Sequence, residues 1–246
     1  LGAILTPRFI PNLNVSVDWY RINLTDALAS AGVPYILQQC AEGRQEMCAL
    51  TERDSTGLLL SVRNYQLNIA SQLSEGVDIA LDYSHRIGPG RLILRSLATH
   101  RIHNRSNTLG VIRDTVGSIA PLPASVPGGS GGSPSWEGNL QATYDASRWQ
   151  GTVGMRWLGS AKLSQAWGSL DVDDNHVSAY TVFDLRANYY LDADRKFQIY
   201  GAVDNVLDRD PPIVPRLLDG WFYIPTRVGM YDLLGRVYRI GARAKF

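Results

Sequence analysis

Alternation of apolar and polar residues, repeated in run after run, most limits what this chain can fold into. In residues 13–22 the odd positions Leu13, Val15, Val17 and Trp19 are apolar, with Asn14, Ser16 and Asp18 between them. In 73–84, Leu73, Val77, Ile79, Leu81 and Tyr83 oppose Ser74, Asp78, Asp82 and Ser84. The same period runs through 136–144 (Trp136, Leu140, Ala142, Tyr144) and 149–157 (Trp149, Val153, Met155, Trp157). It returns in 183–189 (Phe183, Leu185, Ala187, Tyr189), 197–204 (Phe197, Ile199, Val203) and 238–246 (Tyr238, Ile240, Ala242, Ala244, Phe246). Around residue 93 the faces are less clear. Leu92 and Leu94 are taken as the apolar side, because the other choice turns Arg91 and Arg95 into oil. A period of two is the signature of a strand. The reading is therefore all-β: eight strands, and the tail of another at 1–6.

Short turns at 85–90, 145–147 and 191–196 alternate with long connections at 23–66, 102–135, 159–176 and 207–234. An up-and-down meander then carries its short links at one end and its long ones at the other. Membrane barrels do this, with short periplasmic turns and long extracellular loops. Runs of about ten residues suit a membrane strand, which needs about 9–11. Aromatics close both ends of an apolar face: Trp149 with Trp157, Trp136 with Tyr144, Tyr238 with Phe246. Eight residues at about 3.3 Å, tilted near 45°, rise roughly 19 Å, close to the lipid-facing band of such a barrel. The competing architecture, a soluble sandwich or lipocalin-like barrel, gives no reason for aromatics at both rims. No window of about 18 apolar residues occurs, which excludes helical spans and leaves strand spans open. With 24 basic and 23 acidic residues, net +1, no nucleic-acid partner is expected.

The long connections carry local signals. Thr25 and Asp26 read as the cap of a short helix through Ser30, broken at Gly32, and Pro34 as the start of a second turn leading to Cys40. Asp54-Ser55-Thr56-Gly57 reads as a hairpin tip, and 121–135, rich in Pro, Gly and Ser, as a mobile loop between strands. Cys40 and Cys48 lack the neighbours of a zinc site and the spacing of a CxxC motif. They read as a local disulfide in an oxidising compartment, worth on the order of 2–3 kcal/mol, against the alternative of two unpaired thiols. Leu1 is not Met and no signal-peptide pattern follows, so the chain reads as a fragment or processed piece.

Two C-terminal segments resemble TonB-dependent outer-membrane receptors. Val203-Asp204-Asn205-Val206-Leu207-Asp208-Arg209-Asp210-Pro211-Pro212 is similar to the exit of their penultimate strand. Residues 231–246, from Tyr231-Asp232-Leu233-Leu234-Gly235 to the closing Phe246, are similar to their final strand. Ser74-Glu75-Gly76-Val77-Asp78 resembles another recurring barrel segment. The resemblance implies a barrel of about 22 strands closed by an N-terminal plug, of which residues 1–246 are a C-terminal portion lacking the plug and the earlier strands. It implies location in the bacterial outer membrane, in contact with its lipid, and energy-coupled uptake of a scarce nutrient, a metal chelate or an oligosaccharide. It implies contact with TonB only through the missing N-terminal region. It also implies that Tyr238, Ile240 and Phe246 form the signal read by the barrel-assembly machinery. The alternatives are a self-contained small outer-membrane barrel with a structural, adhesive or porin-like role, and an outer-membrane hydrolase.

The residues themselves argue little chemistry. The histidines are His85, His100, His103 and His176. His100 and His103 stand three apart, so alternation predicts opposite faces and no shared metal. No G-x-S-x-G elbow occurs, so no catalytic residue, metal or cofactor is assigned. Asp171-Val172-Asp173-Asp174-Asn175 lacks the Gly and distal Glu of a calcium loop and reads as solvated. Ligand contact is expected from loop aromatics and cations. Trp167, Trp221 and Tyr223 suit stacking on sugars or flat ligands, and Arg216 and Arg227 suit an anion, against the plainer reading of loop packing. Arg156, Arg186, Arg239 and Arg243 are expected to face the lumen or a plug.

Overall fold

The computed structural model describes residues 1–108, 111–119, 132–214, 226–227 and 229–245. In chain order its elements are β1 (Gly2–Leu5), β2 (Leu13–Ser30), α1 (Val33–Ala41), α2 (Gln45–Cys48), β3 (Thr51–Arg53), β4 (Leu59–Val62), β5 (Gln66–Ile87), β6 (Gly90–Thr108), β7 (Val111–Asp114) and β8 (Trp136–Asp145). There follow β9 (Trp149–Leu158), β10 (Ala161–Lys162), β11 (His176–Val177), β12 (Tyr180–Tyr190), β13 (Phe197–Asp204) and β14 (Val237–Ala244). A ten-stranded sheet runs β1-β2-β5-β6-β8-β9-β12-β13-β14, with β7 off this path and paired to β6. Each pairing is antiparallel, and every wall strand neighbours its predecessor in that path. The eight long strands and the short first one read from the alternation are all present.

The register turns the alternation into two surfaces. Leu13, Tyr83, Leu94, Ala142, Val153, Leu185, Val203 and Tyr238 oppose one another in turn, forming one apolar row across the sheet. Leu92 pairs with Tyr144, which confirms the side chosen for Leu92 and Leu94. This face is apolar yet open: Val153 is 46% exposed, Leu185 41% and Ile199 46%. A water-soluble protein buries such a face, and a bilayer covers it. Aromatics gather at both its ends. Tyr144 and Trp149 lie 5.0 Å apart at the short-turn end, and Trp136 lies against Trp157 and stacks on His100 at the other. The opposite face carries ion pairs, Arg95 with Asp82, Arg156 with Asp184 and Arg239 with Asp204.

β8 and β9 are each ten residues long, the length of the band, whereas β2, β5 and β6 have 18, 22 and 19 residues and rise past it at the long-loop end. This corrects the reading of 25–30 as a capped helix. β2 continues to Ser30, with register shifts around Ala27 and Asp26 at φ 54°. Pairing with the extension of β5 satisfies more backbone than one helical turn would, so tertiary contact overrides the cap signal. Alternation also fails between Glu75 and Gly76, where β6 carries an extra residue. His100 opposes Val77 and His103 opposes Glu75, so the two histidines share a face instead of splitting between two. Gly76 is fixed by the same spot: a Cβ there would come within 2.6 Å of the Tyr20 hydroxyl and 2.7 Å of the His100 carbonyl.

In the full barrel, Val153→Arg should cost about 2–4 kcal/mol of stability in lipid vesicles, and Thr152→Arg, on the opposite face, under about 1 kcal/mol. Urea unfolding of both variants in the same vesicles checks the facing, and equal losses would refute it.

Candidate functional site

The long-loop end builds two small cores on the wall. In the excursion 31–65, Pro34 starts α1, and Ala31, Tyr35 and Ile36 pack with Met47, Leu50 and Val62. The Cys40–Cys48 disulfide joins α1 to α2, with the Cα atoms 4.7 Å apart. The hairpin β3–β4 turns at Asp54, whose carboxylate accepts the Thr56 and Leu58 N–H groups and the Thr56 hydroxyl. Those bonds hold its pKa below the ordinary carboxylate value.

The second core lies over the polar face of β9 and β12. Ile119, Leu163, Val177, Tyr180, Val182, Val214 and Tyr231 come together there from four separate stretches of chain. Val182 opposes Arg156, so this cluster roofs the charged lumenal side and not the lipid side. Tyr231 stands edge-on to Tyr180 at 5.3 Å; burial pushes its hydroxyl pKa up to about 12. Trp167 packs half-buried against this core. Arg227 donates to the Ile119 carbonyl at 2.9 Å and to the Gly132 carbonyl, tying its own loop to theirs, and burial lowers its pKa. The structure thus brings Trp167 and Arg227 to one roof, with Arg227 tied to backbone. Arg216, Trp221, Tyr223 and Phe246 lie outside the described residues, as does most of the expected Pro/Gly/Ser loop.

The strand-exit motif is explained by its bonds. Asn205, wholly buried at φ 49°, exchanges side-chain bonds with the Arg209 backbone at 3.0 and 2.9 Å, and its N–H donates to Asp184 at 3.0 Å. Asp208 accepts the Arg236 N–H at 2.8 Å, tying the exit of β13 to the approach of β14. Asp184 also accepts from Arg156, which reaches Asp232 at 3.6 Å. Nothing in the alternation singled out Asn205 or Asp184; only the φ-tolerant Asn in a turn-rich run hinted at the first. Of the expected lumenal arginines, Arg156 and Arg239 pair with carboxylates there. In the 171–175 run, Asp171 accepts the Gly168 N–H and Asp174 the His176 N–H, so these carboxylates cap turns. His103 meets Asp114 at 2.6 Å and His100 meets the Ser135 carbonyl at 3.2 Å.

A sequence profile of the family described as TonB dependent receptor-like, beta-barrel matches residues 1–206. The chain belongs to this family. It is an outer-membrane β-barrel protein, and an open apolar face is what the wall of such a barrel offers a bilayer. No curated protein sequence matches it. Among solved structures, it is similar to a mutant ferric enterobactin receptor from Pseudomonas aeruginosa in complex with enterobactin: 13% identity, TM-score 0.62, 100% of this chain and 30% of that one. The siderophore receptor PirA from Acinetobacter baumannii shares 13% identity at TM-score 0.57, covering 100% and 31%. The outer membrane transporter YddB from Escherichia coli shares 11% at 0.58, covering 100% and 32%. At these identities the likeness is one of fold, and the chain spans about a third of each of those receptors.

Reducing the Cys40–Cys48 bond should free about 2–3 kcal/mol of loop-closure entropy in the excursion. Limited proteolysis of the folded protein should then cut within 31–65 faster under reductant while the wall strands stay protected; unchanged cleavage would show that the small core holds the excursion alone.

Proposed function

We propose that these strands form the C-terminal part of the wall of a larger barrel, and that the whole protein imports a scarce nutrient using energy delivered through TonB. The sheet edges carry this reading. Among the described residues β1 pairs only with β2 and β14 only with β13. Hydrocarbon offers no partner to a bare strand edge, so further strands must complete the wall. A self-contained small barrel would need β14 on β1, a pairing absent among the described residues. The proposed coupling to TonB runs through a plug domain outside residues 1–246.

Within this reading, the roof over the polar face is the ligand-capturing surface, with Trp167 and Arg227 as its contact residues; Arg216, Trp221 and Tyr223, outside the described residues, are proposed as further ligand contacts. Solved relatives named as ferric enterobactin and siderophore receptors favour a metal chelate over an oligosaccharide. The work asked of the protein is binding, gating and passage, without chemistry on the ligand. Tyr238 and Ile240 on β14, with Phe246, are the proposed assembly signal.

Cells expressing the full-length protein should accumulate a radiolabelled ferric chelate only when TonB is present. Equal accumulation in cells lacking TonB would overturn the energy-coupled reading, and retention of the folded protein in buffer without detergent would overturn the membrane wall itself.

A further inference from the structure

Between β7, residues 115–118 and the turn after β10 lies a cavity of about 290 Å³, bounded by Arg113, Thr115, Ser118, Leu163, Ser164 and Gln165. Its frame is stitched between three stretches of chain, at 117–119, 133 and 162. The Lys162 N–H donates to the Gly117 carbonyl at 2.8 Å, the Ile119 N–H to the Lys162 carbonyl at 2.9 Å, and the Gly117 N–H to the Ser133 carbonyl at 2.8 Å. Arg113 opposes Ser106, which opposes Gln72, which opposes Leu24, so it stands on the lumenal face continued above the membrane band.

The cavity has donors without acceptors. The Nε of Arg113 is buried with no hydrogen-bond partner, and so is the hydroxyl of Ser133, next to the lining Gly132. The Ser118 Oγ accepts the Gln165 N–H at 3.0 Å and the Ser164 Oγ accepts the Ala166 N–H at 3.2 Å, which leaves both hydroxyl protons to give. The one carboxylate among the described lining residues, Asp114, is engaged elsewhere: with His103 at 2.6 Å, with Arg105 at 3.6 Å and with the Asn104 N–H at 3.1 Å. A half-buried guanidinium group whose Nε lacks a partner, beside hydroxyls with protons to give, is complementary to an oxyanion, which accepts several bonds and returns the missing charge.

We propose that this cavity binds the carboxylate or phosphate group of a small anionic ligand, held by Arg113 and the hydroxyls of Ser118 and Ser164. The volume is near the lower end of small-molecule sites, about 300 Å³, which fits a compact polyanion or the anionic end of a larger chelate. The proposal rests on the receptor reading above and adds to it a ligand chemistry and a place of first capture.

Isothermal titration of the full receptor in detergent with sodium phosphate, and separately with citrate, tests it and separates the two sources of the oxyanion. At least one anion should bind, and Arg113→Gln should weaken it tenfold or more, with Arg113→Lys falling between. Gln165→Glu alters an exposed side chain at the wall and should weaken binding by placing a negative charge there, whether or not Arg113→Gln folds. Lys196→Gln, in the short turn between β12 and β13, should leave binding unchanged. Absence of binding by both anions, or binding indifferent to both Arg113→Gln and Gln165→Glu, overturns the proposal. Titration needs neither TonB nor transport, so TonB-dependent uptake without anion binding would overturn this site alone, and binding without TonB-dependent uptake would overturn the import reading alone.

Discussion

Hydrocarbon supplies neither a donor nor an acceptor, and the wall of this protein is shaped by that fact. Every N–H and C=O in the band must find its partner on a neighbouring strand, and every side chain on the outer face must do without polar groups. One register satisfies both demands across the sheet. A slip of one residue between β8 and β9 would carry Arg156 and Gln150 out to lipid and Trp149 and Val153 into the lumen. Exposed apolar surface, a liability for a protein in water, is here the surface that fits its solvent.

The long-loop end obeys a different solvent. Strands β2, β5 and β6 outrun the band, and once they stand in water their edges can take bulges, a short added strand and side-chain pairings that lipid would forbid. The bulge beside Gly76 lies near that boundary, where His100 still stacks on the rim residue Trp136 and His103 already pairs with Asp114. Loops from distant stretches then close a small apolar core above the charged face, and Arg227 binds one of them through the carbonyls of Ile119 and Gly132. Part of the charge inside the wall is neutralised locally, as in Arg156 between Asp184 and Asp232 and Arg239 beside Asp204.

How much of this was legible in the residues follows the same division. The strands of the band could be read because hydrocarbon leaves little choice: Trp149 to Trp157 announces its length, its face and its rims at once. Above the band some signals held, the Cys40–Cys48 pair, the turn from Pro34 and the hairpin tip at 54–57 among them, and others misled. Thr25 and Asp26 carry a good helix cap, yet the chain there follows β5, because a neighbouring strand offers more hydrogen bonds than a nascent turn. His100 and His103 obey alternation only until one inserted residue resets it. Trp167 was visible as a large loop aromatic, but its contact with the roof was not, and Arg113 bore no mark distinguishing it from the other arginines.

The sequence by itself determined the all-β class, the order and facing of the wall strands, the ends that carry long and short links, and the family, because each depends on periodicity or on contiguous motifs. Tertiary structure alone decided which loops meet over the lumen, where the sheet bulges, how Asn205 clasps the strand exit and that the Nε of Arg113 is buried without a partner. Those outcomes depend on groups far apart in the chain that become neighbours only once the sheet has set their positions, and no local pattern encodes such distances.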